Sequence, residues 1–458
     1  MRLLPLLFLC LCTLARAQAL PPAVEAALAR ARLPADALSV VVTDVDPAAA
    51  PRVRHRELAP VNPASIAKLA TTFAALELLG PAFTWSTPVY ADGPVEAGTL
   101  RGNLYIRGQG DPKLVIERVW LLLQRLRGLG IERIAGDIVL DHGAFQVPAA
   151  DPAAFDGEPL RPYNASPDAL LVNFKSVTLT FAPRADGTAR VVAEPPLAGV
   201  EWPATVPLSR GPCRDWRGAL QLDLQDPLRP RFAGGYPPAC GELSWPLAFP
   251  DAAGFAARAI AALWSAVGGS VAGVVRDGRV PDRLEPLTAS VSPPLAEVVR
   301  DINKYSNNVM ARQLFLTLAL QQDGVATPER ARMLLRGWWR RRLGDDVPAF
   351  DNGSGLSRDE RTTARQLARL LQYAWASPLM PEFIASLPMA GTDGTLRRRA
   401  QVAAHLKTGS LRDSQGIAGY VLGASGRRYC VVAIANHPNA VAVQPALDAL
   451  LAWVAQDR

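Results

Sequence analysis

A chain of 458 residues, 49% of them hydrophobic, has the length for two or three domains and the apolar content for a large core. The net charge of +7 comes from arginines dispersed among acids, so no nucleic-acid-binding face is expected, and the four histidines and five cysteines lack the clustering of a metal site. Beyond the first residues, no apolar run reaches the length of a membrane span.

Met1-Arg2, the apolar run 3–14 and Ala15-Arg16-Ala17 have the pattern of a charged start, a short hydrophobic region and a small-residue cleavage site, so residues 1–17 are expected to be a signal peptide. Cys10 or Cys12 as a lipid anchor is the alternative, opposed by the bulky residues before them. The other cysteines are Cys213, Cys240 and Cys430. The first two lie in loop contexts of one segment and are candidates for a disulfide after export, while Cys430 reads as a core strand residue.

Residues 22–32 read as a helix and 38–46 as a β-branched strand. The next stretch, 61–79, has Asn62 to cap a helix, Pro63 at its first position and Gly80-Pro81 to stop it. Its Ala, Leu, Ile and Phe residues on all sides predict a buried helix. Ser65 and Lys68, three residues apart, share one face near its start, where backbone N–H groups favour developing negative charge. The chain has only five lysines, Lys68, Lys113, Lys175, Lys304 and Lys407, and uses arginine wherever charge alone is needed. A desolvated lysine can lose its proton near neutrality and arginine cannot, so Ser65 and Lys68 are a candidate nucleophile and base. Read alone, they are equally a helix-start hydroxyl and a snorkelling amine.

From 90 to 287 the composition turns to short strands and turns rich in Gly, Pro and Asp, with strands at 138–141 and 177–181 and a helix at 115–129. Asp111 and Lys113 could form a local ion pair there. Helices return at 295–302, 309–320, 328–343 and 363–376, with a turn at 304–308. Strands at 403–408, 416–422 and 428–436 precede a last helix at 443–455. The expected α/β (α+β) fold is one antiparallel sheet built from both chain ends and flanked by helices, with the middle third inserted as β-rich lobes.

Two further groups belong beside Ser65 and Lys68. Ser306-Asn307-Asn308 presents a hydroxyl and a carboxamide from a turn between helices, and Lys407-Thr408-Gly409-Ser410 lies on a strand, where glycine admits a substrate backbone and the amine and hydroxyls suit a carboxylate. Each alone reads as turn or surface residues, and the 351–357 loop reads as structural. Three such motifs in this order are a poor product of chance.

The set Ser-x-x-Lys, Ser-x-Asn and Lys-Thr-Gly is that of the penicillin-recognising serine enzymes, and the chain resembles their class C low-molecular-mass group, the type-4 D-alanyl-D-alanine carboxypeptidase/endopeptidases. Gly110-Asp111-Pro112-Lys113, Pro162-Tyr163-Asn164-Ala165, Asp351-Asn352-Gly353-Ser354-Gly355 and Gly419-Tyr420-Val421 extend the resemblance through nearly the whole chain. Ser410 stands where threonine is more frequent, and Asn307 where Asp often stands.

The resemblance implies a penicillin-binding-protein/β-lactamase-like transpeptidase domain at 18–89 and 289–458, an inserted second domain at 90–165 and 246–288, and a nested β-rich third at 166–245. It implies a periplasmic enzyme without cofactor that acts on peptidoglycan stem peptides and is inhibited by β-lactams. In that implied chemistry Ser65 attacks, Lys68 takes its proton, Ser306 relays a proton to the leaving amine, and Lys407 holds the local field. Asn308 would bind the substrate amide, Thr408, Gly409 and Ser410 the carboxylate end, and the N–H groups of Ser65 and Ser410 the oxyanion. A β-lactamase or esterase with the same motifs, and a silent peptidoglycan-binding protein, are the alternatives.

Overall fold

Alternation along the strand Leu38–Asp44 shows how the central sheet is built: Val40 and Val42 point to one hydrophobic cluster and Val41 to another. The strand Arg428–Asn436 repeats this, with Val431, Ala433 and Ala435 on the first side and Cys430, Val432 and Ile434 on the second. In this computed structural model, which describes residues 20–399 and 402–457, five antiparallel strands run in the order Ala404–Leu411, Ser414–Leu422, Arg428–Asn436, Leu38–Asp44, Val53–His55. The expected signal peptide lies outside the described residues. Both chain ends therefore meet in one sheet, as the sequence implied, and Leu38 pairs with Ala435 nearly four hundred residues away.

Helices Pro22–Arg30 and Gln444–Ala455 cover one face. The other packs against Lys68–Leu79, Leu295–Tyr305, Asn308–Asp323, Pro328–Leu343 and Ala364–Trp375. Phe73, fully buried on Lys68–Leu79, meets Trp338, Tyr373 and Phe383 edge-on at centroid distances of 6.2, 5.8 and 5.0 Å. That fixes the helix against three neighbours, and edge-on aromatic pairs add about 0.5–1.5 kcal/mol each beyond their burial.

The middle of the chain leaves through Ser86–Ala91 and returns through Pro286–Val291, and these two strands pair antiparallel. They belong to a mixed sheet with Leu104–Arg107, Ile138–Asp141 and Val275–Asp277, the last three mutually parallel. Helix Ile116–Gly128, expected from the sequence, packs beside this sheet, and a second helix, Phe255–Ala266, joins it. The second, an Ala-rich stretch, was not read from the sequence. A separate antiparallel sheet, Thr205–Pro207, Thr188–Glu194, Ser176–Pro183, Leu243–Ala248, carries the nearby Cys213–Cys240 disulfide. Asp111 pairs with Arg118, not with Lys113, whose amine reaches Asp301 on Leu295–Tyr305. This ties the insertion to a helix that ends at the site.

Candidate active site

Ser65 sits one step earlier in the architecture than its sequence suggests. The α-helix begins at Lys68, and Ser65 lies in the preceding 3-10 turn, Ala64–Ala67. The cap position falls on Pro63 and not on Asn62, whose Oδ1 instead accepts the Ala64 N–H at 2.8 Å from one residue further back. Ala64 is held at φ +49°, a left-handed conformation that costs a non-glycine residue about 1–3 kcal/mol and is kept only where the surroundings over-determine it.

The surroundings here are two glycines. A Cβ on Gly355, which has φ +77°, would lie 1.8 Å from the Ala64 carbonyl oxygen. One on Gly409 would lie 2.6 Å from the Pro63 carbonyl oxygen and 3.1 Å from Ile66. Gly409 thus lets the turn of Ser65 press onto the edge strand, in space that the sequence suggested for a substrate backbone.

Lys68 is fully buried, and its Nζ lies 2.9 Å from Ser65 Oγ, 2.6 Å from Asn308 Oδ1 and in hydrogen-bond contact with the Ser354 carbonyl. Burial, reinforced by Lys407 and Arg312 and opposed by Glu360, holds the Lys68 amine well below its usual range. An amine whose hold on its proton is weakened by burial, set against a serine hydroxyl, is placed to exchange a proton with it.

The second hydroxyl is set by a helix end. Leu295–Tyr305 extends three residues beyond the expected helix, and Ser306 terminates it in the left-handed conformation at φ +56°. Asn307 then caps Asn308–Asp323, its Oδ1 accepting the Met310 N–H, which leaves Asn308 facing Lys68. Lys407, also fully buried, donates to Ser306 Oγ at 2.9 Å and to the Thr408 carbonyl at 2.8 Å. Burial pushes its amine down to about 7.

Ser65, Ser306, Asn308 and Ser410 line one cleft of about 1190 Å³. Ser410 Oγ accepts from Gln415 Nε2 at 2.7 Å. Thr408 Oγ1 bonds Thr395 Oγ1 at 2.8 Å. The inserted segments add Phe155, Asp156, Tyr163, Ser176 and Thr178 to the lining of the cleft, beside Arg358, Arg412 and Gln415, with the Arg358 guanidinium 4.6 Å from the Phe155 ring centre. Against a desolvation that would raise it, hydrogen bonds from Tyr163, Asn164 and the Glu158 N–H hold the carboxyl of the exposed Asp156 below its usual range. Lys113, Lys175 and Lys304 pair instead with Asp301, Asp168 and Asp393.

Two groups at the base went unread in the sequence: the Ser354 carbonyl, which has no side-chain signature, and Glu360, which is 1% exposed. The glycines around Ser354 were the available signal, since backbone approaches a site most closely where Cβ atoms are missing. Among the described residues no group of three His, Cys, Asp or Glu could hold a metal ion.

A serine beside one buried amine, with a second hydroxyl beside another and the edge strand of an antiparallel sheet along one wall, defines a serine acyl-transfer enzyme of the penicillin-recognising class. The chain belongs to the D-Ala-D-Ala carboxypeptidase 3 (S13) family, whose model matches residues 20–456, and it is a serine DD-peptidase. It is 28% identical over 428 residues to a D-alanyl-D-alanine carboxypeptidase of Actinomadura sp., covering 85% of this chain and 76% of that one. It is 24% identical over 389 residues to D-alanyl-D-alanine carboxypeptidase DacB of Haemophilus influenzae, covering 81% and 80%. The fold matches the crystal structure of penicillin binding protein 4 from H. influenzae with a TM-score of 0.76 at 21% identity, over 94% of this chain and 99% of that one. A predatory endopeptidase from Bdellovibrio bacteriovorus, acylated by penicillin G, matches with a TM-score of 0.54 at 14% identity over 92% of each chain.

Proposed function

We propose that Ser65 is the nucleophile and Lys68 the base of a peptidase that removes the terminal D-alanine of peptidoglycan stem peptides and opens their cross-links. The observation that carries this is the Lys68 amine, buried and depressed, bound at once to Ser65, Asn308 and the Ser354 carbonyl. Lys68 takes the hydroxyl proton as the Ser65 oxygen bonds the carbonyl carbon between the two D-alanines. The N–H groups of Ser65 and Ser410 receive the oxyanion, each such donor contributing about 3–4 kcal/mol to the transition state. Ser306, held by Lys407, passes a proton to the leaving amine. Asn308, its Oδ1 engaged by Lys68, keeps its amide hydrogens for the substrate backbone, and Ser410 with Thr408 holds the terminal carboxylate. Water then releases the acyl group.

The sequence division into a discontinuous catalytic domain and two nested insertions fits this role, because the insertions supply part of the lining of the cleft that Ser65 shares. The cleft carries both Asp156, from the insertion, and Arg358 and Arg412, from the 289–458 segment, which suits a stem side chain bearing an amine and a carboxylate. A periplasmic location is supported by the disulfide and by the lack, among the described residues, of any helix long and apolar enough to cross a membrane.

Digestion of purified cross-linked muropeptides, resolved by mass, tests the reading. Loss of one D-alanine, or splitting of dimers, is expected from the wild type and from no Ser65→Ala preparation. Intact muropeptides with rapid turnover of penicillin would identify a β-lactamase instead, and no reaction with either would identify a silent binding protein.

A further inference from the structure

Glu360 is a carboxyl group 1% exposed, buried behind the nucleophile's turn, and the mechanism above does not use it. Its Oε1 accepts the Asp351 N–H at 3.2 Å, while its buried Oε2 has no hydrogen-bond partner among the described residues. A cavity of about 10 Å³ separates it from Ala67 and Ala70, the first of these within the turn of Ser65. The loop it holds at Asp351 runs on to Ser354, whose carbonyl receives Lys68.

We propose that Glu360 is a positioning residue for acylation: it anchors the loop that orients Lys68, and its negative charge supports the ammonium that Lys68 becomes. The inference rests on Lys68 as the base. When the Ser65 O–H bond breaks and an N–H bond forms on Lys68, the base of the site gains a positive charge. Lys407, from the edge strand, and Arg312, from Asn308–Asp323, both oppose that charge. Glu360 is the carboxylate that favours it. Asp351 faces Arg312 and pairs with Arg332 at 3.2 Å, and Arg361, beside Glu360 in the chain, turns its guanidinium to the Arg358 and Glu360 carbonyls. Burial and the nearby Asp351 charge raise the Glu360 carboxyl to about 7, so its ionisation falls within the working pH range.

The test is the pH profile of acylation by a labelled penicillin. Glu360→Gln removes the charge that holds Lys68 up, so the acid limb should move down by about one pH unit and the plateau rate should fall about tenfold. Asp351→Asn, at a partly exposed position whose one ion pair is with Arg332 among the described residues, relieves the like charge that raises Glu360, so its acid limb should move up. A structural role alone would alter rate or stability and leave both limbs in place, and that result overturns the proposal. So does a limb moving the same way in both variants. If Glu360→Gln does not fold, the Asp351→Asn limb decides. Lys68→Arg separates the two claims: surviving acylation there sinks the base assignment, whereas lost acylation with unmoved limbs sinks only the role of Glu360.

Discussion

Lys407 should weaken the fold it serves, and Lys407→Met measures by how much. The unfolded chain keeps this proton up to the ordinary value of 10.5, while the folded chain releases it near 7. Between those values the unfolded state binds more protons, so stability rises with pH. The shift costs the folded state about 4 kcal/mol at pH 7 and about 1 kcal/mol at pH 10. Against this stand two hydrogen bonds, to Ser306 Oγ and the Thr408 carbonyl, each contributing about 1 kcal/mol net. Methionine of similar length removes both effects, so the variant should be more stable than wild type at pH 7 by about 2 kcal/mol and lose that advantage by pH 10. Denaturant melts at the two pH values check this; Lys407→Met also removes the charge that helps depress Lys68, which adds to the gain at pH 7 in the same direction. Acylation by labelled penicillin should meanwhile fall about 100-fold, because Ser306 loses the group that holds its hydroxyl. A variant less stable than wild type at pH 7, or a difference that does not vary with pH, would refute the reasoning.

Lys68→Arg should abolish penicillin labelling although it keeps a cation, since arginine cannot accept the Ser65 proton; labelling near the wild-type rate removes Lys68 as base. Gly409→Ala places a Cβ 2.6 Å from the Pro63 carbonyl oxygen, so the turn must shift. A stability loss of about 1–3 kcal/mol and at least about tenfold slower labelling are expected from melts and gel fluorescence. Replacing Cys213 and Cys240 by serine, 27 residues apart, should cost the inserted lobe about 3 kcal/mol, leaving penicillin labelling unchanged when followed alongside thermal unfolding. Asp156→Asn should raise KM more than it lowers kcat for muropeptides with a free side-chain amine, and leave N-acetylated ones unaffected. Equal effects on both substrates would remove Asp156 from amine recognition.

The sheet made of both chain ends was legible because alternating β-branched residues at Leu38–Asp44 and Arg428–Asn436 need each other to bury both faces. That Ser65, Lys68, Ser306, Asn308 and Lys407 meet was legible because the roles proposed for them require fixed residue types at fixed spacing. What stayed hidden was contributed by backbone and by position. The left-handed Ala64 and the α-helix starting only at Lys68 follow from the pressure of Gly355 and Gly409, which are distant in sequence. Ser354 acts through a carbonyl that every residue carries. Glu360 lies in a polar run, Arg358-Asp359-Glu360-Arg361, whose pattern predicts solvent and not burial.

The measurement closest to the central claim is intact mass followed by peptide mapping of the protein after brief exposure to penicillin. One adduct of the drug's mass on the peptide containing Ser65, with none in Ser65→Ala, is the predicted result. An adduct on any other residue, or an unmodified protein that leaves D-alanyl peptides whole, would contradict it.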